Sequence, residues 1–446
     1  MKCSVKKNIT YCLLVIAGGQ LSVNASSKKI VIVGQGYVGL PISMRAIEIG
    51  FSVIGLDNDE SRILKLQRGV SFVEDVSNGA LRDALKSGRF RPTSTKEDVA
   101  DFDVAVITVP TPLRETAPDL TYIKSAAQNL SPFIRKGCIV ILESTTYPGT
   151  TEELMVPILE DGCGLRAGTD FFVGYSPERI DPGNPVWNFV NTPKVVSGIN
   201  QASLDAVSSF YSLLVERVVP VKGCKEAELT KLLENTFRHV NIALVNELSV
   251  FAHQLDIDIW NAIDAAATKP FGFMAFTPGP GVGGHCLPID PSYLSWKVKE
   301  SLGRQFRFVE LANDVNEHMP DYTVSRLVLG LNERMKSVKG SRILLVGLAY
   351  KKNSSDARES PAIRVAQLLL ELGAVLEVID PFLEHTPRGL TGVPLVKDSD
   401  ISAGKYDAAV ILTDHDDIDY ARIVENVPYT FDSRHRLTAA INVEFL

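Results

Sequence analysis

Short, strongly apolar runs alternate along this chain with longer stretches in which apolar residues recur every three or four positions. The first run, Lys29–Val33, is rich in β-branched residues and ends at Gly34, and residues 40–49 then carry apolar positions at helical spacing. Short apolar runs bounded by turn residues are typical of buried strands in a parallel sheet. Three more runs have the same character: Phe51–Leu56, Val104–Val109 and Cys138–Leu142. This part of the chain predicts a doubly wound α/β domain with ligands at the carboxyl ends of its strands.

The pattern changes in the middle of the chain. From Lys222 to about Lys269 there is no strand signal, and apolar residues at three- and four-residue steps predict one long helix that spans two lobes. The recurring positions are Leu229, Leu232, Leu233, Phe237, Val240, Leu244, Leu248 and Phe251. Because the second half of this set exceeds what one lobe needs to bury, we expect a homodimer interface here.

The strand pattern returns near Ser341. The next apolar runs are Arg342–Val346, Ala374–Ile379 and Tyr406–Leu412. The chain is therefore predicted to hold two Rossmann-like, doubly wound parallel-sheet domains joined by a central helical domain with one long helix. The predicted bounds are 1–28 for an N-terminal extension, 29–221 for the first Rossmann domain, 222–335 for the central domain and 336–446 for the second Rossmann-like domain.

A glycine fingerprint, GQGYVG at residues 34–39, follows the first predicted strand. In such a motif Gly34 permits the tight turn, Gly36 lets a pyrophosphate approach the backbone, and Gly39 allows close packing of helix and strand. Asp57 ends the second strand, where a carboxylate binds ribose hydroxyls and repels a 2′-phosphate. The sequence thus predicts that NAD, rather than NADP, binds the first domain.

The motif with the most candidate reactive residues is GPGVGGHCLPID at residues 279–290. Its glycines allow sharp bends and close approach to a ligand, and they deliver Cys286 with His285 before it and Asp290 four residues on. A lone cysteine is more often a small buried hydrophobe than a nucleophile. A hydride acceptor and a thiol in one chain nevertheless suggest an oxidation that goes past the aldehyde. The glycines are Gly279, Gly281, Gly283 and Gly284.

Three further groups of residues are candidates for catalysis or ligand binding because of the elements on which they lie. Lys231 and Asn235 share one face of the central helix, where an ammonium and an amide can stabilise an oxyanion, although a solvated lysine is the ordinary alternative. Glu178 and Arg179 are either an ion pair or an acid/base and sugar contact. Tyr350 and the lysine after it follow the first strand of the second Rossmann-like unit. That unit lacks the third fingerprint glycine, which favours a mononucleotide phosphate over a second dinucleotide.

Composition narrows the function classes. The 446-residue chain is 45% hydrophobic and 22% charged with a net charge of −7, which gives no reason to expect nucleic acid or an anionic membrane as partner. Its six cysteines form no C-x-x-C pair, which argues against a zinc site or disulfide framework and fits a reducing compartment. The first 28 residues overlap a secretory signal pattern, but NAD chemistry favours an extension on a cytoplasmic protein.

Several motifs occur together in one order, and as a set they resemble the UDP-glucose/GDP-mannose dehydrogenase family from about Lys28 nearly to the C-terminus. The stretch from Lys269 to Cys286 is most similar to members that act on UDP-N-acetylglucosamine. The motifs are GQGYVG, VPTP, ESTTYPGTTEE, YSPERIDPG, KLLENTFRHVNIALVNE, PGPGVGGHCLPIDP and LAYKKNSSDARESPA.

The resemblance implies a four-electron oxidation of the C6 alcohol of a UDP-sugar to a carboxylate, with two NAD used in turn and Cys286 as the nucleophile that carries a thiohemiacetal and then a thioester. It implies that Lys231 and Asn235 stabilise the oxyanion, that Asp290 orients water or acts as base, and that Glu178 assists hydrolysis. It implies cofactor contacts from Tyr37, Val38, Arg62, Val109, Thr111, Thr145 and Arg358, with Thr111 also beside the reacting carbon. It implies substrate contacts from Glu178, Arg179, Lys231, Asn235, Arg238, Tyr350, Lys351, Arg434 and the glycine run 279–284.

The chain departs from the family pattern at a few positions. Gln35 replaces an aliphatic residue between the first two glycines, and Pro182 replaces a second glutamate, so that the role in hydrolysis rests on Glu178. Pro270 stands where the glucose-type members carry an arginine that reaches across the dimer, and Arg238 and Lys269 are candidates to replace it. UDP-glucose and UDP-N-acetylmannosamine remain alternative substrates. Single-step hydride transfer of the 6-phosphogluconate type and a catalytically dead nucleotide-sugar-binding regulator remain alternative functions.

Overall fold

The structure is a computed structural model, and it describes residues 28–114, 117–180, 184, 186–284 and 286–446. The predicted extension before Lys28 lies outside the described residues, as do Pro182 and His285. For Cys286 the backbone alone is described.

The N-terminal lobe is built on a six-stranded parallel sheet with the order β3-β2-β1-β4-β7-β8. Residues of β1 alternate between two cores: Ile30 and Ile32 pack on one side of the sheet, and Val31 and Val33 on the other. Helices cover both faces, which explains why each strand is apolar throughout. The strands are β1 (Lys29–Val33), β2 (Ser52–Leu56), β3 (Phe90–Thr93), β4 (Val104–Ile107), the hairpin pair β5 (Leu113–Arg114) and β6 (Ala117–Pro118), β7 (Ile139–Leu142), β8 (Phe172–Tyr175), and the separate parallel pair β9 (Lys194–Val196) and β10 (Val218–Pro220).

The described part of this lobe contains six α-helices. A π-helical segment, Thr150–Met155, leads directly into the fifth. The helices are α1 (Gly39–Ile49), α2 (Glu60–Gln67), α3 (Asn78–Lys86), α4 (Thr121–Leu130), α5 (Val156–Cys163) and α6 (Gln201–Leu214).

The central region is helical, as predicted, but the single long helix expected to reach about Lys269 is wrong. The long helix α7 ends at Gln254, and Asp256 follows with a left-handed φ of 55°. Asp258 then caps the next helix by accepting hydrogen bonds from two backbone N–H groups, which fixes a new helix start. The helices are α7 (Cys224–Gln254), α8 (Ile259–Ala267), α9 (Cys286–Leu302) and α10 (Arg307–Glu333).

Helix α7 buries a polar face and exposes an apolar one. Its buried polar residues are spaced so that they share one side of the helix: Glu228, Lys231, Asn235, His239 and Asn246. The opposite side carries large apolar residues that are between 41% and 62% exposed: Leu229, Leu233, Phe237, Leu244, Leu248 and Phe251.

The C-terminal lobe repeats the parallel-sheet plan with the strand order β12-β11-β13-β14-β15. The predicted fold, two Rossmann-like lobes joined by a helical region, is confirmed. Among the described helices, none combines the length and the hydrophobicity that crossing a membrane requires. The elements are β11 (Arg342–Val346), α11 (Pro361–Glu371), β12 (Val375–Ile379), β13 (Ala408–Ile411), α12 (Tyr420–Asn426), β14 (Thr430–Asp432) and β15 (Val443–Phe445).

Candidate active site

The turn between β1 and α1 has the geometry of a dinucleotide-binding loop. Gly34 has φ +94°, and a Cβ there would lie 2.7 Å from the Thr108 carbonyl oxygen. A Cβ on Gly39 would lie 1.8 Å from the Gly34 carbonyl oxygen, so this position must be glycine for helix and strand to meet. At Gly36, by contrast, no described atom beyond the glycine and its immediate chain neighbours lies within 4 Å of that point. The open space beside Gly36, at the N-terminus of α1, fits a pyrophosphate.

Asp57 stands at the edge of this turn. Its two carboxylate oxygens accept the backbone N–H groups of Gln35, at 2.8 Å, and Asp59, at 2.9 Å. The Arg62 guanidinium lies 3.8 Å from Asp57. Each carboxylate oxygen keeps a further lone pair for a ribose hydroxyl. Gln35 itself is buried, with its side chain packed beside Gly55, which explains why a polar residue is tolerated at this position of the fingerprint.

The loops after β4 and β7 lie side by side at the same edge of the sheet. The Ser144 hydroxyl donates to the Val109 carbonyl at 2.7 Å and so ties together the loops that carry Thr111 and Thr145. The β7 loop is also held to α7, because the Glu228 carboxylate accepts the N–H groups of Gly149, at 2.6 Å, and Thr151, at 2.9 Å. Burial raises the pKa of Glu228 to about 7, although these hydrogen bonds lower it.

Lys231, Asn235, Asp290 and Glu178 converge where α7 meets the β8 loop and α9. The Asn235 amide donates to the Asp290 carboxylate at 2.6 Å, and the Lys231 ammonium donates to the Glu178 backbone carbonyl at 2.6 Å. Burial raises the pKa of Asp290 to about 6, against the attraction of Lys231 and the hydrogen bond from Asn235. A carboxyl group with this pKa can accept a proton near neutral pH.

Glu178 is oriented by its own loop and by a buried lysine. Its Oε1 accepts the N–H groups of Arg179, at 2.6 Å, and Ile180, at 2.5 Å, while Oε2 lies 3.4 Å from the Lys194 ammonium. The same ammonium lies 2.6 Å from Glu143, which directly follows β7. Glu178 thus joins the convergent cluster on α7 to a second, fully buried set of charges.

Two predicted substrate-binding arginines lie away from this convergence. The Arg179 guanidinium pairs with Glu234 at 2.7 Å and donates to the Pro193 carbonyl at 2.6 Å, so the ion pair predicted as its alternative role exists, with a different carboxylate. Arg238 is exposed on the outer side of α7, next to Phe237.

The glycine run before α9 packs against the C-terminal lobe. A Cβ on Gly279 would lie 2.6 Å from the Arg434 guanidinium, and Cβ atoms on Gly283 and Gly284 would each come within 2.8 Å of Tyr350. Gly281, with φ +130°, approaches Pro361 and α10 in the same way. The glycines are therefore required for close packing between protein segments. The sequence alone could not tell this requirement from close approach to a ligand. Cys286 begins a helix directly after this run.

A long loop between β11 and α11 carries Tyr350, Lys351 and Arg358 and reaches the N-terminal lobe. The Arg358 guanidinium forms two hydrogen bonds with Asp356 and lies 5.4 Å from the centre of the Tyr37 ring. The Ser355 hydroxyl donates to Glu74 at 2.9 Å. Tyr37 in the fingerprint and Arg358 in the second lobe therefore face each other across the cleft.

The first turn of the C-terminal lobe resembles that of the N-terminal lobe, but its carboxylate forms an additional contact within the protein. Gly347 has φ +80°, and Asp380 at the end of β12 accepts the Leu348 N–H at 2.8 Å. Unlike Asp57, Asp380 also lies 3.2 Å from the buried His415 ring. His415 accepts the Asn353 N–H at Nδ1, so its Nε2 carries the proton that it donates to Asp380.

Sequence reasoning missed residues that hold the site in place rather than face it. Glu228 offered a usable signal, since it precedes Lys231 by three residues and falls on the same helical face. Asn246 lies on that face too, and the others belong to loops and strand ends with no local pattern that marks them. These residues are Thr108, Glu143, Lys194, Asn246, Asp380 and His415.

Two Rossmann-like lobes around a shared cleft, with a dinucleotide turn in one and a proton-accepting carboxyl between them, define the architecture of a nucleotide-dependent dehydrogenase. Residues 28–215 match the NAD binding domain of the UDP-glucose/GDP-mannose dehydrogenase family, residues 225–318 its central domain and residues 344–439 its UDP binding domain. The chain belongs to this family.

Known proteins agree with that assignment. The chain is 37% identical over 397 residues to UDP-N-acetyl-D-glucosamine 6-dehydrogenase of Pseudomonas aeruginosa, a match that covers 87% of this chain and 90% of that protein. It is 35% identical to UDP-N-acetyl-D-mannosamine dehydrogenase of Pyrococcus horikoshii, over 87% of this chain and 89% of that one. The solved structure of UDP-D-ManNAc dehydrogenase from Pyrococcus horikoshii is similar with a TM-score of 0.84 and 31% identity, covering 94% of this chain and 98% of that chain. The predicted class of enzyme, an NAD-dependent nucleotide-sugar dehydrogenase, is confirmed.

Proposed function

We propose that this enzyme oxidises the C6 alcohol of UDP-N-acetylglucosamine to the carboxylate through covalent intermediates on Cys286. The observation that carries the chemistry is the convergence of Lys231, Asn235 and the proton-accepting Asp290 beside the helix that begins at Cys286. The similarity to the Pseudomonas aeruginosa enzyme supports the choice of sugar.

The fingerprint lobe holds the cofactor. The space beside Gly36 and the start of α1 accommodates the diphosphate, and the free lone pairs of Asp57 accept the ribose hydroxyls. Thr111 and Thr145, on loops joined through Ser144, flank the nicotinamide end. NAD, when bound here, takes up the hydride that leaves the sugar carbon in each of two successive oxidations.

The sugar nucleotide is held from the other lobe. Burial lowers the pKa of the Arg434 guanidinium below its ordinary value, a sign of a charge removed from water, and Gly279 lies against it. With Tyr350 and Lys351 it supplies positive charge and a ring for the UDP portion. Because UDP takes no part in the chemistry, its binding energy serves to position C6 in the cleft.

The residues on α7 and α9 drive the covalent steps. Asp290 accepts the proton of the C6 hydroxyl during the first oxidation, and the ammonium of Lys231 and amide of Asn235 stabilise the oxygen as it gains charge. The Cys286 sulfur then bonds to the aldehyde carbon to give a thiohemiacetal, and the second oxidation converts this to a thioester. The covalent bond retains the reactive intermediate until water, with Glu178 as proton acceptor, releases the carboxylate.

The test is a panel of UDP-sugars assayed by NADH absorbance with the purified enzyme. We expect two NADH per molecule of UDP-N-acetylglucosamine, and no sustained turnover in the Cys286→Ser variant, which lacks the thiol. One NADH per sugar, or full activity of the serine variant, would exclude the proposed covalent route.

UDP-N-acetylmannosamine is a second candidate substrate. The similarity to the Pyrococcus horikoshii enzyme in sequence and structure favours it. The two sugars differ in configuration at C2, so the ratio of their kcat/KM values in the same panel decides between them.

We also propose that the enzyme is a homodimer through the outer face of α7. Six large apolar residues on this face are exposed, and a face of this kind on a long helix is a site of self-association. Light scattering at micromolar protein measures the mass directly, and a monomer mass would refute the proposal.

A further inference from the structure

Lys194 is a buried charge that the proposed chemistry does not use. It is 3% exposed and begins β9. Its ammonium lies 2.6 Å from Glu143 and 3.4 Å from Glu178. Buried ions persist in proteins when they are paired and hydrogen-bonded, and loss of one partner leaves the others uncompensated. Lys194 and its two carboxylate partners therefore depend on one another in the folded protein.

The surroundings of Lys194 keep it charged and in place. Burial lowers the pKa of the Lys194 ammonium, but the attraction of Glu143 and Glu178 outweighs it and holds that pKa above its ordinary value. The Tyr211 hydroxyl donates to Glu143 at 2.5 Å, and the rings of Phe189 and Tyr211 lie within 5.4 Å and 5.3 Å of the ammonium. Lys194 is thus a fixed cation between a wholly buried carboxylate and one at the edge of the cleft.

Glu178 is the member that connects this cluster to the reaction site. Its Oε1 is occupied by two backbone N–H groups of its own loop, and its Oε2 faces Lys194. Its backbone carbonyl accepts a hydrogen bond from the Lys231 ammonium, so Glu178 cannot shift without disturbing α7. The orientation of the Glu178 carboxylate is consequently set on one side by its loop and on the other by Lys194.

We propose that Lys194 is a positioning residue that orients Glu178 for release of the carboxylate product. This inference rests on the proposed function. In that step the oxygen of water bonds to the acyl carbon, the carbon–sulfur bond breaks with its electron pair left on the Cys286 sulfur, and the proton lost by water passes to Glu178. Lys194 touches none of the reacting atoms. It holds Oε2, and without it the carboxylate turns away from the orientation in which it accepts that proton.

The experiment compares Lys194→Met with wild type in the full-length enzyme, with UDP-N-acetylglucosamine and NAD. Methionine keeps the unbranched shape and removes the charge. We expect the first rapid formation of NADH to stay within about threefold of wild type, steady-state turnover to fall at least about tenfold, and intact-mass spectrometry to find the acyl group retained on the protein. Lys194→Arg keeps a cation and should restore most of the turnover. Lys225→Met, which removes a lysine paired with Glu153 at the surface, is the matched control and should behave as wild type.

Because removal of one partner from a buried ion pair is strongly destabilising, a second variant guards the test against loss of the folded state of Lys194→Met. Glu143→Gln with Lys194→Met removes one carboxylate together with the ammonium, and it should accumulate the same acyl adduct. A folded variant of either kind that shows no adduct, or that slows both oxidations equally, overturns the positioning role. Failure of the wild type to form NADH with any UDP-sugar overturns the proposed function instead, so the two failures are distinct.

Discussion

The two faces of α7 reverse the usual relation between polarity and burial. The inner face presents Glu228, Lys231, Asn235 and Asn246 to the site, and every one of them has a hydrogen-bond partner on another element. The outer face presents leucines and phenylalanines to solvent. Buried polar groups are stable when their hydrogen bonds are satisfied, whereas exposed apolar surface gains stability from a partner. This difference is the basis of the two proposals, that the inner face serves the reaction and that the outer face serves association.

The largest effect is expected from Lys231→Met on the inner face. Loss of a charged donor at a developing oxyanion should lower kcat by about 10²–10³, as measured by NADH formation. Leu233→Ser, two residues on and on the outer face, is the control and should keep turnover per subunit close to wild type. If both variants lose activity to the same degree, the division of labour between the faces is wrong.

Asp290→Asn sharpens the comparison through pH. Because burial raises the pKa of Asp290 to about 6, the wild-type rate should fall as pH decreases through about 6, where the carboxylate becomes protonated and can no longer accept a proton. The asparagine variant should have a low rate without this acidic limb. If the rate of the variant still falls at low pH, the group that titrates is not Asp290.

The same shift predicts a stability change of defined sign. A carboxyl group whose pKa is raised on folding favours its protonated form in the folded state, so the wild type should lose on the order of 2 kcal/mol of stability as pH rises from about 4 to about 6. Urea unfolding at these pH values measures this loss, and Asp290→Asn should show a correspondingly smaller one. Equal pH dependence in the two proteins would contradict a buried, ionising Asp290.

A smaller effect is expected further along the inner face. The Asn246 side chain accepts the Gly279 N–H at 2.9 Å and donates to Asn316 at 2.8 Å, and so fixes the glycine run to α7. Asn246→Ala should raise the KM for the UDP-sugar about tenfold, since a lost buried hydrogen bond costs about 1–2 kcal/mol, with little change in the KM for NAD. Glu247→Ala, at the exposed neighbouring position, is the control. An equal rise in both KM values would indicate general destabilisation.

The smallest effect on turnover is expected from the outer face. The double change Leu233→Ser and Phe237→Ser removes apolar surface that makes no contact with the convergent cluster. Activity per subunit should remain within about twofold, while sedimentation at micromolar protein should shift towards a smaller species. Unchanged mass would place any subunit contact elsewhere.

The parts of the fold that the sequence predicted well are those with local causes. The apolar runs at β1, β2, β4 and β7 are buried on both faces, and so their residue types alone identify them. Gly34 and Gly39 likewise have no freedom, because backbone atoms crowd their Cβ positions. The parallel, doubly wound character of the sheet and the fingerprint turn could therefore be predicted from the sequence, whereas the order of the strands was not predicted.

What the sequence could not predict depends on contacts between distant segments. The break after Gln254 follows from a left-handed residue and a new cap, which the continuous apolar spacing conceals. The partner of Arg179 is Glu234, 55 residues away, rather than the adjacent Glu178. Lys194 lies 51 positions from Glu143 in the sequence, and only folding brings them within 2.6 Å. Supporting residues of this kind carry no periodic signal.

Asp380 has a consequence for how two similar ligands sort themselves. NAD and a UDP-sugar both carry a diphosphate and a ribose, and each lobe begins with a strand, a left-handed glycine and a carboxylate at the end of the next strand. In the C-terminal lobe, however, one oxygen of the Asp380 carboxylate already accepts two backbone N–H groups and faces the His415 ring, and the other oxygen accepts the Phe382 N–H. Asp57, by contrast, accepts one backbone N–H on each oxygen and keeps two lone pairs for a ribose. The C-terminal turn therefore offers a ribose fewer acceptor sites, a difference that favours the dinucleotide in the N-terminal lobe.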